Sequence, residues 1–422
     1  MMIEQPAFGR RLRRLRQQRG LSQGELAGDD VSASYVSRVE SGGRSPNDLI
    51  ASLFARRLEV PLEALTGPDP EEEEHRGSQR LDVASQLLTA SALRKDGELT
   101  EAAELLRGIV TAGAGHSEED LLWEAAWVLA EVLRELGQAL EEHTILTGLA
   151  ETSLSQETPR LAARVATALS ENLRQQGRLG EAVRVAETAV SDIVTLPPTA
   201  HERVNAMLAL LNAYAESGEL ENAARLADTL QEIAEDIPSR QLRGQVYWAV
   251  GSTRFLSGLP QEAARLHEQA FGCLRPDVNL LAWARLCRAS AALRLEHDPS
   301  EDALESAEGL LTRARQAIEL VGRADDLADL MLAEAQLALR QGRPERVLEL
   351  AGRLGDGDAE LPSAKLGQCH LLSAKAYLLT GDTAAAQDSY RQAAETLERA
   401  GAYRKSSEAW RQLSELLTPG AP

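Results

Sequence analysis

Eight turn residues recur along the chain at nearly constant spacing, and this period limits the fold more than any other feature. Gly97, Gly137, Gly177, Gly218, Gly258, Asp298, Gly342 and Gly381 are separated by 40, 40, 41, 40, 40, 44 and 39 residues. Seven residues before each turn stand Ala90, Ala130, Ser170, Leu211, Gly251, Ala291, Ala335 and Ala374, all small except Leu211. Five residues after each turn stand Ala102, Glu142, Ala182, Ala223, Ala263, Ala303, Val347 and Ala386. Two antiparallel helices joined by a short turn can approach closely only where side chains are small. The pattern therefore predicts stacked helical hairpins, one per period. Pro159, Pro197, Pro198, Pro238, Pro276 and Pro362 fall between the units, where helices should end. Residues 402–417, with Tyr403, Trp410, Leu413 and Leu416, read as a last helix covering the end of the stack.

Composition agrees. Aromatic residues are only 4% and Ala, Leu, Glu and Arg dominate, which favours helices because these side chains lose little entropy there. The spacing of small residue, turn glycine and alanine resembles the tetratricopeptide repeat, with a period nearer 40 than 34. That resemblance implies a superhelix whose concave face carries the first helix of each hairpin, at offsets −13, −10, −6 and −3 from the turn residue. In the second repeat these positions are Glu124, Trp127, Glu131 and Arg134, and in the third Arg164, Thr167, Glu171 and Arg174. In the fourth they are Asn205, Leu208, Asn212 and Ala215, and in the fifth Gln245, Trp248, Ser252 and Phe255; Arg285 and Arg288 follow in the sixth. Arg and Asn can hydrogen-bond a peptide backbone or carboxylate, and the aromatic rings offer apolar area. The competing reading is a wet inner surface with internal ion pairs, such as Glu131 with Arg134.

The charge is divided unevenly. The chain carries a net −20, yet residues 1–67 hold a net +2 and the remainder −22. An acidic body repels nucleic acid, so any DNA contact belongs to the N-terminal segment. There, Phe8, Leu12 and Leu15 form a helical stripe among arginines that ends at Gly20. Ser22 caps a second helix, Gln23–Ala27, with Glu25 three residues on. Asp29 and Asp30 form a turn, Ser32 caps a third helix, and two more follow over Asn47–Leu58 and Pro61–Leu65. The run Gly20-Leu21-Ser22-Gln23-x-Glu25-Leu26-Ala27, with Ser32-x-x-Tyr35-Val36-Ser37-Arg38-Val39-Glu40 after it, resembles the Cro/C1 (XRE-type) helix-turn-helix family. One departure is that Asp30 stands near the family's turn glycine. The resemblance implies that Gln23 meets a phosphate, that Ala33, Ser34, Ser37 and Arg38 face base edges, and that Ser32 and Arg44 touch the DNA backbone. It also implies a core of Leu12, Leu26, Val31, Val36 and Val39, and an ion pair between Arg16 and Glu40.

The expectation is therefore an all-α chain. Residues 1–67 form a five-helix lambda-repressor-like helix-turn-helix domain, 68–77 an acidic linker, and 78–422 a tetratricopeptide-like α-solenoid of about eight hairpins. The layout resembles the peptide-receptor regulators of the RRNPP group. That implies a homodimer on an inverted-repeat operator in double-stranded DNA, with a short peptide in the groove controlling headpiece spacing. Two alternatives stay open: an array that docks a protein partner, and a scaffold whose headpiece no longer binds DNA. No catalytic constellation, metal-ligand spacing or cofactor motif is present, so neither an enzyme nor a metal or cofactor site is expected. No apolar run reaches the roughly 20 residues of a membrane span, and Cys273, Cys287 and Cys369 are unpatterned, which points to the cytoplasm.

Overall fold

The computed structural model describes residues 5–67, 70–113, 119–355 and 363–417. Among them all regular structure is helical. The chain forms two compact units, residues 1–92 and 93–422.

The first unit opens with five short helices: α1 (Ala7–Gln18), α2 (Gln23–Ala27), α3 (Ala33–Glu40), α4 (Asp48–Arg57) and α5 (Glu63–Thr66). Polar side chains start three of them. Ser22, Ser32 and Asn47 each accept the backbone N–H three residues on, and Ser22 with Glu25 closes a reciprocal capping box. Phe8, Leu12, Leu26, Val36, Val39, Phe54, Leu58 and Leu65 are fully buried in one cluster, with Val31 at its rim. Each such side chain contributes roughly 1.5–3 kcal/mol by leaving water.

Helix α6 (Pro70–Asp96) takes up most of the segment read as linker; Pro68 and Asp69 lie outside the described residues. Beyond its turn at Gly97 comes α7 (Leu99–Ala112). Further pairs follow: α8 (Glu119–Leu136) with α9 (Ala139–Glu151), then a short α10 (Ser153–Glu157), then α11 (Pro159–Gln175) with α12 (Leu179–Asp192). Next are α13 (His201–Ser217) with α14 (Leu220–Ile233), α15 (Arg240–Leu256) with α16 (Pro260–Cys273), and α17 (Leu280–His297) with α18 (Glu301–Val321). The array ends with α19 (Ala324–Arg340) and α20 (Pro344–Gly355), α21 (Ser363–Thr380) and α22 (Thr383–Arg399), and the terminal α23 (Tyr403–Leu417).

The seven turn glycines all have positive φ, between 65° and 87°, a region costly for residues with a Cβ. Asp298 solves the sixth turn differently. Its backbone stays extended (φ −113°, ψ 110°), and its carboxylate accepts the Ser300 N–H at 2.9 Å while Ser300 caps α18. The long α18 accounts for the 44-residue spacing. The small positions before and after each turn are buried. Ser170 even uses its closeness, donating to the Ala182 carbonyl at 2.9 Å. The same device recurs at an unexpected ninth turn. Gly401 has φ 73°, Ala394 precedes it by seven residues, and Ser406, five residues after it, donates to the Ala394 carbonyl at 2.9 Å. The last helix is thus packed by the same rule as the repeats. Pro159 opens α11 as expected, and Pro362 lies outside the described residues.

Candidate nucleic-acid interface and ligand cleft

Helix α3 has two faces. Val36 and Val39 are buried, while Ala33, Ser34, Ser37 and Arg38 are exposed together on the other side. Ser32 is the cap of this helix, accepting the Tyr35 N–H at 3.2 Å, and it also meets the Ser34 hydroxyl at 3.1 Å. Arg38 bends back to donate to the Ser34 carbonyl at 3.3 Å. The exposed Arg44 guanidinium lies 5.0 Å from the Tyr35 ring centroid, a cation–π contact that orients it. Gln23 begins α2, but its amide donates to Glu40 at 2.8 Å. Glu40 also takes Arg16 in a two-pronged pair at 2.6 and 3.0 Å, the pair the family resemblance implied. Hydrogen bonding to Glu40 raises the Arg16 pKa above its usual value, so Arg16 stays charged.

Asp29 and Asp30 lie in the tight turn between α2 and α3, as the sequence reading expects. Gly28, not Asp30, supplies the positive φ, at 51°. A Cβ on Gly28 would collide with the Arg57 guanidinium, which donates to the carbonyls of Leu26 (2.8 Å) and Ala27 and pairs with Asp30. Arg57 thus satisfies the open C-terminal carbonyls of α2 and sets the turn. Only proximity in the fold reveals it, since 27 residues separate Arg57 from Asp30.

In the array, the first helices of the second, third and fourth hairpins enclose a cleft of about 340 Å³. Trp127, Glu131 and Arg134 line it from α8, Arg164, Thr167, Ala168 and Glu171 from α11, and His201, Glu202 and Asn205 from α13. The cleft brings together Trp127, Arg134, Arg164, Thr167, Glu171 and Asn205 of the expected ligand residues. Trp127 lies parallel to Trp123 with ring centroids 5.8 Å apart, and its indole N–H donates to Glu131 at 3.1 Å. Arg134 donates to Glu142 at 2.7 Å and to Glu171 at 3.2 Å. Burial opposes the charge on Arg134, but Glu171 and Glu142 outweigh it and hold the pKa above the usual value. Glu142 is fully buried where six of the other seven repeats have alanine, and Asn172 completes its shell with a bond of 2.9 Å. Asn205 meets His201 at 2.9 Å.

The remaining expected residues lie outside this cleft. Arg174 pairs with Glu216, Arg285 with Asp326 at 2.6 Å, and Arg288 with Asp329 at 3.4 Å. Burial disfavours the charge of Asp326, yet its bonds to Arg285 hold the carboxyl below the ordinary range. Phe255 packs edge-on against His297 at 4.5 Å, and Trp248 is half-buried against the core of the fourth and fifth repeats. Asn212 and Gln245 are half-buried on the same helices. The pair suggested between Glu131 and Arg134 does not form; Glu131 pairs with Arg94. His201 and Glu202 were missed because the chosen offsets stopped one helical turn short of the start of α13.

The helix-turn-helix domain family matches residues 7–66. No curated protein matches the chain in sequence. Among solved structures, a Rap protein complexed with Competence and Sporulation Factor is 13% identical, covers 80% of this chain and 97% of its own, and has a TM-score of 0.50. The apo quorum sensor NprR from B. thuringiensis is 14% identical over 82% of this chain and 92% of its own, with a TM-score of 0.48. Bacillus thuringiensis PlcR in complex with the peptide PapR7 and DNA is 14% identical over 78% and 98%, with a TM-score of 0.34. The chain therefore joins a helix-turn-helix domain to a tetratricopeptide-like helical solenoid of the kind seen in the Rap fold.

Proposed function

We propose that this protein is a cytoplasmic, DNA-binding transcriptional regulator whose array holds a short peptide. The carrying observation is the exposed row of Ala33, Ser34, Ser37 and Arg38 on a short capped helix inside a matched helix-turn-helix domain. Such a helix enters the major groove with its N-terminal residues on base edges, and Arg38 is suited to a guanine. Gln23 reaches a phosphate by leaving Glu40, which keeps Arg16. A homodimer on an inverted repeat, with half-sites about 34 Å apart, would double the contact set. No helix among the described residues is long and apolar enough to cross a membrane.

The peptide reading is supported by the cleft, which combines a fixed tryptophan, the Asn205 amide and both charges, and by the shared fold of a Rap protein solved with Competence and Sporulation Factor. Genome-wide capture of fragments by the purified protein tests the regulator reading. Binding should fall with salt at a log–log slope near −0.9 per phosphate contacted. Arg38→Ala should relax sequence preference, and absence of binding to any genomic fragment at low salt overturns the proposal.

A further inference from the structure

Along the first helices of the array, cations are consumed by carboxylates of the next repeat. At offset −3, Arg94 bonds Glu135 at 2.6 Å, Arg134 bonds Glu171 at 3.2 Å and Arg174 pairs with Glu216. Later, Arg285 pairs with Asp326 at 2.6 Å, and Arg288 with Asp329 at 3.4 Å. This ladder ties repeat to repeat and leaves little charge for a ligand.

The ladder is interrupted in two adjoining places. The first is Arg164, exposed at the cleft, which pairs with no carboxylate among the described residues and sits 5.9 Å from the Trp127 ring centroid. The second is the fourth and fifth repeats. Their eight offset positions, Asn205 to Ala215 and Gln245 to Phe255, hold no ionisable residue. Within that window, Asn212 and Gln245 have no hydrogen-bond partner among the described residues, although both are half-buried.

We infer that the ligand is an apolar peptide with a free carboxylate, whose acid end lies on Arg164 and whose uncharged body runs across Asn212 and Gln245. This rests on the peptide reading above. A guanidinium pairs a carboxylate with two parallel hydrogen bonds, and the Trp127 plane beneath it holds the head in place. A phosphate dianion fits less well, because Glu131, Glu171 and Glu202 line the same cleft and repel a second negative charge. An amide donates and accepts at once, so Asn212 and Gln245 match a peptide backbone. A charged ligand side chain in that window would lose water and meet no counter-charge.

The test uses the full chain and synthetic heptapeptide mixtures of Ala, Val, Leu, Phe and Gly, made once as free acids and once as C-terminal amides. A third mixture carries Lys and Glu within the body. Binding is read by native mass spectrometry, with thermal shift as control that each variant is folded. The acid mixture should bind the parent chain about tenfold or more above the amide mixture, the worth of one charge-assisted hydrogen bond. Arg164→Gln should abolish that preference with an unchanged melting point, and Asn212→Asp should weaken both apolar mixtures. Equal binding of acids and amides, or preference for the charged mixture, overturns the inference and leaves the peptide reading standing. Failure of all three mixtures to bind overturns both.

Discussion

The Arg323 guanidinium donates to the backbone carbonyl of Arg134 at 3.1 Å, joining residues 189 positions apart. Arg323 lies in the loop before α19, and Arg134 in the last turn of α8, with its side chain in the cleft. The coil of the array is thus tight enough for a loop of the seventh repeat to touch the second. Arg323→Ala should release this clasp. Small-angle scattering is expected to give a larger radius of gyration, while stability falls by only about 1 kcal/mol. An unchanged scattering curve would show that the coil does not need the clasp.

The buried Glu142 is tolerated because Arg134 and Asn172 answer it. Arg134→Ala leaves that carboxylate uncompensated, and urea unfolding should record a loss of about 3–5 kcal/mol. Adding Glu142→Ala restores the small residue used by other repeats and should recover at least half of the loss. A double variant no more stable than the single one would mean that the carboxylate is not the source of the penalty.

Gly251 stands where six of the other seven repeats have alanine or serine, and His267 explains why. A Cβ at Gly251 would lie 2.6 Å from the imidazole Cδ2. Glycine to alanine inside a helix ordinarily gains about 0.5–1 kcal/mol. Gly251→Ala should instead cost about 1–3 kcal/mol through overpacking. Gly148→Ala, where nothing lies within 4 Å, should show the ordinary gain. Opposite shifts in melting temperature for the two variants are the expected outcome.

His267 also gives the array an acid limit. Burial first, then the charge of Arg294, pushes its pKa down to about 4 from an ordinary 6.5. Its Nδ1 lies 2.9 Å from the Ser290 hydroxyl, and the ring is 1% exposed. Between those two pH values the unfolded chain holds a proton that the folded chain refuses, so stability declines as pH falls from 6.5 towards 4. The full difference is roughly 3 kcal/mol. His267→Gln should flatten this part of the stability profile relative to the parent; parallel profiles would assign the decline elsewhere.

In the headpiece, Arg57 holds the end of α2 against the turn that aims α3. Arg57→Ala removes charged hydrogen bonds to two carbonyls, at about 1.5–3 kcal/mol for a bond of this kind. The headpiece should melt earlier, and DNA affinity should drop even though the hydrogen-bond partners of Arg57 (Leu26, Ala27 and Asp30) all lie outside α3. Arg57→Lys should rescue little, because an ammonium lacks the planar fork. Unchanged melting and binding would show that the turn stands without Arg57.

Local signals made the helices and their turns legible in the sequence. A glycine with positive φ, a small residue seven positions before it and an alanine five after act within one hairpin, so spacing alone exposes them. The register of α2 and α3 was legible for the same reason, through capping serines and the apolar stripe of Leu12, Leu26, Val36 and Val39. Partner choice was not. Glu131 can reach either of two arginines, and the fold gave it to Arg94, leaving Arg134 to Glu142 and Glu171. Likewise the fold brings Arg57 onto Gly28 and Asp30 at the turn, and the pitch of the coil brings Arg323 to Arg134. Sequence periodicity sets which face a side chain shares, because that depends on the helix alone. Which groups meet depends on distances between repeats about 40 residues apart, and only the packed array sets those.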